Sequence, residues 1–219
     1  MLSHFGSQIV DFGSALLLLT CFAIVAQRRL SACVDLFALQ SAFLAITAAL
    51  VAFLTGIHHI YIAVGLTVII KVLVIPRILK KVVERLNVTR ELVMNVNVPA
   101  SLLICGGLVM LAIFITQPVI PLGFQLSQGS LAIALAIVLI GFFTMIARKK
   151  AVSQVIGFLV MENGLFLGAT ASAYGMPLIV ELGVFLDVLL GFLVMQVFVY
   201  RIRETFETTD VDRLRSLRH

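Results

Sequence analysis

A chain of 219 residues that is 61% hydrophobic and only 12% charged, with a mean hydropathy of +1.15, is too apolar for a soluble domain, in which about a quarter of residues are charged. Apolar runs of roughly twenty residues recur without period-2 alternation, which selects an all-α polytopic membrane protein over a barrel. The formal net charge of +5 is then a topology signal, and nucleic acid is excluded as a partner in favour of the lipid bilayer.

In chain order the pattern predicts seven transmembrane helices, over 5–26, 33–55, 59–79, 97–117, 129–147, 151–173 and 178–200. The amino terminus has neither a basic region nor a small-residue cleavage site, so the first run reads as a retained helix. Basic residues follow the first, third, fifth and seventh runs, among them Arg28, Arg29, Arg77, Lys80, Arg148, Lys149, Lys150, Arg201 and Arg203. The loops between them, GIHH, QPVIPLGFQLSQ and AYGMP, carry no Lys or Arg. The positive-inside rule therefore predicts an outer N-terminus and a cytoplasmic C-terminus. Cys21, Cys33 and Cys105 lie in or beside apolar runs without metal-site spacing and read as small buried hydrophobes.

Asp11 and Asp35 fall towards the ends of the first two helices and are expected at the interface, whereas Gln40 is expected to hydrogen-bond between helices. Lys71, in TVIIKVLVIPRIL, precedes Arg77 by about 9 Å of helix rise, close enough to an interface to snorkel. Pro76 removes a backbone donor and is expected to bend the helix, which favours an internal Lys71. His58 and His59 mark the outer mouth of the same helix. The stretch 80–96 mixes charged and apolar residues at helical spacing and is expected to form a cytoplasmic amphipathic linker.

The polar pair Glu162 and Asn163 interrupts QVIGFLVMENGLFLG near mid-bilayer, with the basic cluster at 148–150 on one side and Tyr174 and Gly175 on the other. A glutamate has too short a stem to reach the interface from there, so it must be neutral, paired or beside a hydrated cavity, and it becomes a functional candidate by position. Asn163 is expected to tie helices together. The last run adds Glu181 near its outer end and Asp187 near its centre, separated by about 9 Å of rise and about 120° around the helix. Isolated acids and one lysine at depth fit ion relay better than recognition of a solute. The candidate ion-translocation set is Glu162, Asp187, Lys71, Glu181 and Asn163.

These residues carry a family resemblance. From about Gly129 onward the chain resembles the three-helix K subunit of respiratory complex I and its relatives in multi-subunit cation/proton antiporters. That pattern, Ile-Gly-x-Glu-x-x-x-Asn after a basic turn, is met here by Arg148 to Lys150, Ile156, Gly157 and Asn163. The place of its glutamate is taken by Leu159, and the carboxylate stands at Glu162, one helical turn further on. Asp187, Gly191, Arg201 and Arg203 match the pattern of the third helix. Over its whole length the chain resembles hydrogenase-4 component E, through IIKVLVIP, VMENG, VELGVFLD and the tail TTDVDRL.

The resemblance implies a non-catalytic membrane subunit of a complex I-related [NiFe]-hydrogenase complex in a bacterial or archaeal cytoplasmic membrane. Antiporter-like membrane subunits and hydrogenase subunits would be its partners. No cofactor is expected in this chain, since the [NiFe] and iron–sulfur centres would sit on those partners. An antiporter subunit and a purely structural anchor are the alternatives. The implied organisation is an N-terminal three-helix part over 1–80, the linker 81–96, a fourth helix and outer loop over 97–128, a K-subunit-like part over 129–203 and a tail over 204–219.

Overall fold

The computed structural model describes residues 2–55, 58–85, 96–118, 128–149 and 151–172. Every regular element among them is helical: α1 (Leu2–Ala26), α2 (Leu30–Thr55), α3 (His58–Thr67), a π-helical segment (Val68–Val74), α4 (Ile75–Arg85), α5 (Val98–Thr116), α6 (Gln128–Ala147) and α7 (Ala151–Ser172). α3, the π segment and α4 run on as one rod, so the described residues contain six helices long and apolar enough to cross a membrane. The all-helical, multi-pass architecture expected from composition is therefore present. The seventh predicted run, 178–200, lies outside the described residues.

Short connections make neighbours antiparallel. Gln27 to Arg29 turn α1 into α2, and α7 begins at Ala151, soon after α6 ends at Ala147. α6 and α7 share the most extensive interface in the bundle. Glycine makes that closeness possible: a Cβ on Gly141 would stand 2.7 Å from the Met161 backbone, one on Gly157 3.0 Å from the Met145 amide, and one on Gly164 2.9 Å from the Ala134 carbonyl. Small residues admit this approach where lipid supplies no hydrophobic drive between helices.

One helix boundary differs from the expectation. The third membrane helix does not end near 79 but continues to Arg85, and the apolar span covers Ile60–Val83. Residues 80–85 extend that helix, while 86–95, the greater part of the expected linker, lie outside the described residues. Within α4, Leu79, Val82 and Val83 are buried.

Arg148, counted in the sequence only among the basic residues of a connection, is not at the surface. It is only 4% exposed, and its Nη2 donates to the carbonyls of Ile24, Val25 and Gln27 at 3.3, 2.9 and 3.1 Å. These carbonyls lie at and just beyond the C-terminal end of α1, where the helix favours positive charge. Burial lowers the pKa of this guanidinium, and the nearby Cys33 opposes the shift. Beside it, Ser101 and Thr144 help to line a cavity with room for about one water molecule.

The Arg148 clamp brings the α1–α2 and α6–α7 turns to one end of the bundle. An exposed ion pair between Lys80 Nζ and Asp35 Oδ1 places α4 at the same end. Three of the basic connections therefore gather together. Arg148→Met is expected to destabilise the bundle by on the order of 3 kcal/mol, because several charge-assisted bonds to buried carbonyls are lost together. Arg148→Lys should recover only part of this, since an ammonium lacks the guanidinium fork; unfolding of the purified subunit in mixed micelles measures both.

Candidate functional site

The site forms where the rod that contains the π segment meets α7 and α2. Residues Val68–Val74 depart from α-helical bonding just ahead of Pro76, and at their end the Ile75 N–H donates to the Ile70 carbonyl, five residues back. A proline in a helix lacks its N–H and clashes with the carbonyl four residues earlier. A wide turn at that point lets the helix pass the proline and continue, and such turns recur at functional positions. The wide turn therefore stands immediately before Pro76, where a bend is expected.

Lys71 lies inside this wide turn and near the middle of the span Ile60–Val83. It is 1% exposed. Because the helix continues beyond Arg77 to Arg85, Lys71 is too deep to snorkel. Its Nζ lies 3.3 Å from Glu162 Oε1 and donates to Asn163 Oδ1 at 3.2 Å. Glu162 and Asn163 are buried near the middle of the 22-residue α7.

The network extends into α2 and α1. Asn163 Nδ2 donates to Gln40 Oε1 and to Ser41 Oγ, each at 3.2 Å, and Gln40 Nε2 donates to the Leu17 carbonyl at 3.1 Å. Gln40 and Ser41 are fully buried. Four membrane-crossing rods therefore meet in one polar layer: α1 through Leu17, α2 through Gln40 and Ser41, the third rod through Lys71, and α7 through Glu162 and Asn163. Buried charges persist in such surroundings when they are paired: Lys71 is both paired and hydrogen-bonded, and Glu162 is paired with Lys71.

Of the five sequence-predicted site residues, the structure brings Lys71, Glu162 and Asn163 together, while Asp187 and Glu181 lie outside the described residues. Gln40 makes the interhelical bonds expected of it. Asp35 is exposed and paired with Lys80. Asp11 is partly buried and accepts from Ser130 Oγ at 3.1 Å near the start of α6, with Ser14 Oγ 2.9 Å from Ser130 Oγ. Ser41, the Leu17 carbonyl, the π segment and the Arg148 clamp escaped the sequence reading. Ser41 adjoins a glutamine already singled out, and that adjacency was the one available signal.

Leu159, at the place of the K-subunit glutamate, is fully buried with the apolar core. Cys21, Cys33 and Cys105 are buried free thiols. Among the described residues there is no group of three His, Cys, Asp or Glu side chains able to hold a metal ion. The donor set here suits protons and ammonium–carboxylate pairing.

Comparison with known proteins finds relatives of this chain. An uncharacterized protein of Mycobacterium tuberculosis is 41% identical over 217 residues, covering 97% of each chain. Hydrogenase-4 component E of Escherichia coli K12 is 28% identical over 217 residues, covering 97% of this chain and 99% of the relative. The same protein of Shigella flexneri matches equally. The chain is a homologue of hydrogenase-4 component E along almost its whole length. Residues 130–219 also match the family NADH-ubiquinone/plastoquinone oxidoreductase chain 4L. No solved structure matches the chain. The hydrogenase-4 component E resemblance of IIKVLVIP and VMENG thus reflects kinship across both halves of the chain, and those two stretches supply Lys71, Glu162 and Asn163. The chain 4L match takes in α6 and α7, and it ends beyond the stretch that carries Glu181 and Asp187.

Proposed function

We propose that this chain is a non-catalytic membrane subunit of a complex I-related [NiFe]-hydrogenase complex of hydrogenase-4 type, in which Lys71 and Glu162 take part in coupled proton or sodium translocation. The observation that carries this reading is a lysine–glutamate pair at mid-bilayer, 3.3 Å apart and buried on both sides. Such a pair is costly to keep in lipid and has no structural necessity there, since apolar residues of equal volume pack as well or better. A proton or cation arriving at Glu162 competes with the Lys71 ammonium for the carboxylate. A change of charge nearby then shifts that competition, which is how an ion step couples to events elsewhere in a complex.

Asp187 and Glu181 are assigned to the same route on the basis of their position in the last apolar run. The basic end of the bundle is assigned to the cytoplasmic side of a bacterial or archaeal membrane by the positive-inside rule. Catalytic metal centres belong to soluble partner subunits, and antiporter-like subunits are the expected membrane neighbours.

Glu162→Gln tests the reading. In proteoliposomes that contain the intact complex, hydrogenase-driven ion uptake is expected to fall at least about tenfold, equivalent to roughly 1.4 kcal/mol or more on the rate-limiting step, while subunit composition on native gels is unchanged. A structural anchor behaves oppositely: the variant loses assembly, or assembles and pumps at the wild-type rate.

A further inference from the structure

The hydrogen bonds around Asn163 form a chain with a fixed polarity. One end is the Leu17 carbonyl, which can only accept; the other is the Lys71 ammonium, which can only donate. A primary amide presents a carbonyl on one side and an NH₂ on the other, and either orientation fills nearly the same space. Between a pure acceptor and a pure donor, however, two amides in series have one satisfied arrangement. Gln40 must turn its NH₂ to Leu17 and its carbonyl to Asn163. Asn163 must then turn its NH₂ to Gln40 and Ser41 and its carbonyl to Lys71, as the distances of 3.1, 3.2, 3.2 and 3.2 Å record.

We infer that Gln40 is a positioning residue: anchored on the Leu17 carbonyl, it holds the Asn163 carbonyl towards Lys71 and so gives the ammonium a second seat beside Glu162. The functional weight of this relay rests on the translocation reading above. The two seats are nearly equidistant from Nζ, at 3.3 Å for Glu162 and 3.2 Å for Asn163. When Glu162 takes up a proton and the ion pair weakens, the ammonium keeps a neutral acceptor and has no need to leave the layer or lose its own proton. Among the described residues, Glu162 and Asn163 from α7 stand against Lys71, with Gln40 and Ser41 from α2 acting through Asn163. If Asn163 were reversed, its NH₂ would face the ammonium, donor against donor, and that seat would be lost.

The test uses the full chain in lipid bilayers, with the lysine side-chain nitrogen and the terminal side-chain carbons of asparagine and glutamate isotopically labelled, read by solid-state NMR dipolar coupling. Wild type is expected to show two couplings to Lys71, one to Asn163, identified by its absence in Asn163→Leu, and one to Glu162. In Gln40→Met, which fills the space without donor or acceptor, Asn163 is free to reverse and the ammonium withdraws from its NH₂ towards Glu162, so the Asn163 coupling should be lost and the Glu162 coupling kept. Gln40→Glu should keep both, because a buried carboxyl is driven to its neutral form, which still offers an O–H to Leu17 and a carbonyl to Asn163. Both couplings retained in Gln40→Met overturns the inference. Both lost makes Gln40 a packing residue and overturns it equally, as does loss of the Asn163 coupling in Gln40→Glu. The readout does not involve ion movement, so normal pumping by Glu162→Gln would remove the proposed function while leaving the relay standing.

Discussion

Lys71→Met is expected to destabilise the subunit by about 3–5 kcal/mol, the usual cost of removing one member of a buried ion pair. The carboxylate of Glu162 loses its ammonium in a medium that cannot hydrate it, and Asn163 loses the donor to its carbonyl. The double variant Lys71→Met, Glu162→Leu is expected to recover most of the loss, because it replaces both charges with apolar groups of similar volume. Denaturation of the two purified variants in mixed micelles separates the cases. A double variant no more stable than Lys71→Met would mean that the pair contributes by shape and not by charge. The recovered double variant should still fail to support ion uptake, and that division between stability and transport is what a functional charge pair requires.

The second large effect belongs to Gly141. In Gly141→Ala the new methyl would lie 2.7 Å from the Met161 backbone, where no side-chain rotation relieves the overlap. α6 and α7 must separate, at a cost of about 1–3 kcal/mol or more. Met161 precedes Glu162, so the displacement is delivered to the ion pair, and transport should fall together with stability. Gly106→Ala and Gly107→Ala on α5 are the controls: a Cβ at either position meets nothing within 4 Å. They should be neutral or slightly stabilising, since alanine favours a helix by about 1 kcal/mol over glycine. Parallel unfolding curves for the three variants check the contrast; an unaffected Gly141→Ala would show that the α6–α7 contact is loose.

Much of this site could be read in the sequence because lipid makes polar residues conspicuous. Glu162 and Asn163 interrupt an apolar run at its centre, and length alone places them at mid-depth. Lys71 was harder. Counting from Arg77 placed it near an interface, since a basic residue after an apolar run normally marks the membrane boundary. α4 instead carries the helix on to Arg85, with Leu79, Val82 and Val83 buried among charged neighbours. The wide turn before Pro76 is a tertiary accommodation that valine and isoleucine do not announce. Arg148 was hidden for a different reason: three adjacent basic residues look alike in sequence, and only the meeting of the α6–α7 turn with the end of α1 buries one of them. Neither the Leu17 carbonyl nor the polarity it imposes on two amides has any side-chain signature.

The wide turn at Val68–Val74 also bears on chain length. It holds one residue more than a regular α-helix of the same rise, so that residue is an insertion the helix has absorbed without turning α3 against α4. Removing a residue from inside it would restore regular winding and leave both flanks facing as they do. Residues within the turn would be redirected by up to about 100°, the angle of one α-helical step, and the ring of Pro76 would again meet the carbonyl four places back. A comparison of related chains should therefore treat a one-residue gap beside this lysine as a change of aim rather than a harmless difference in length.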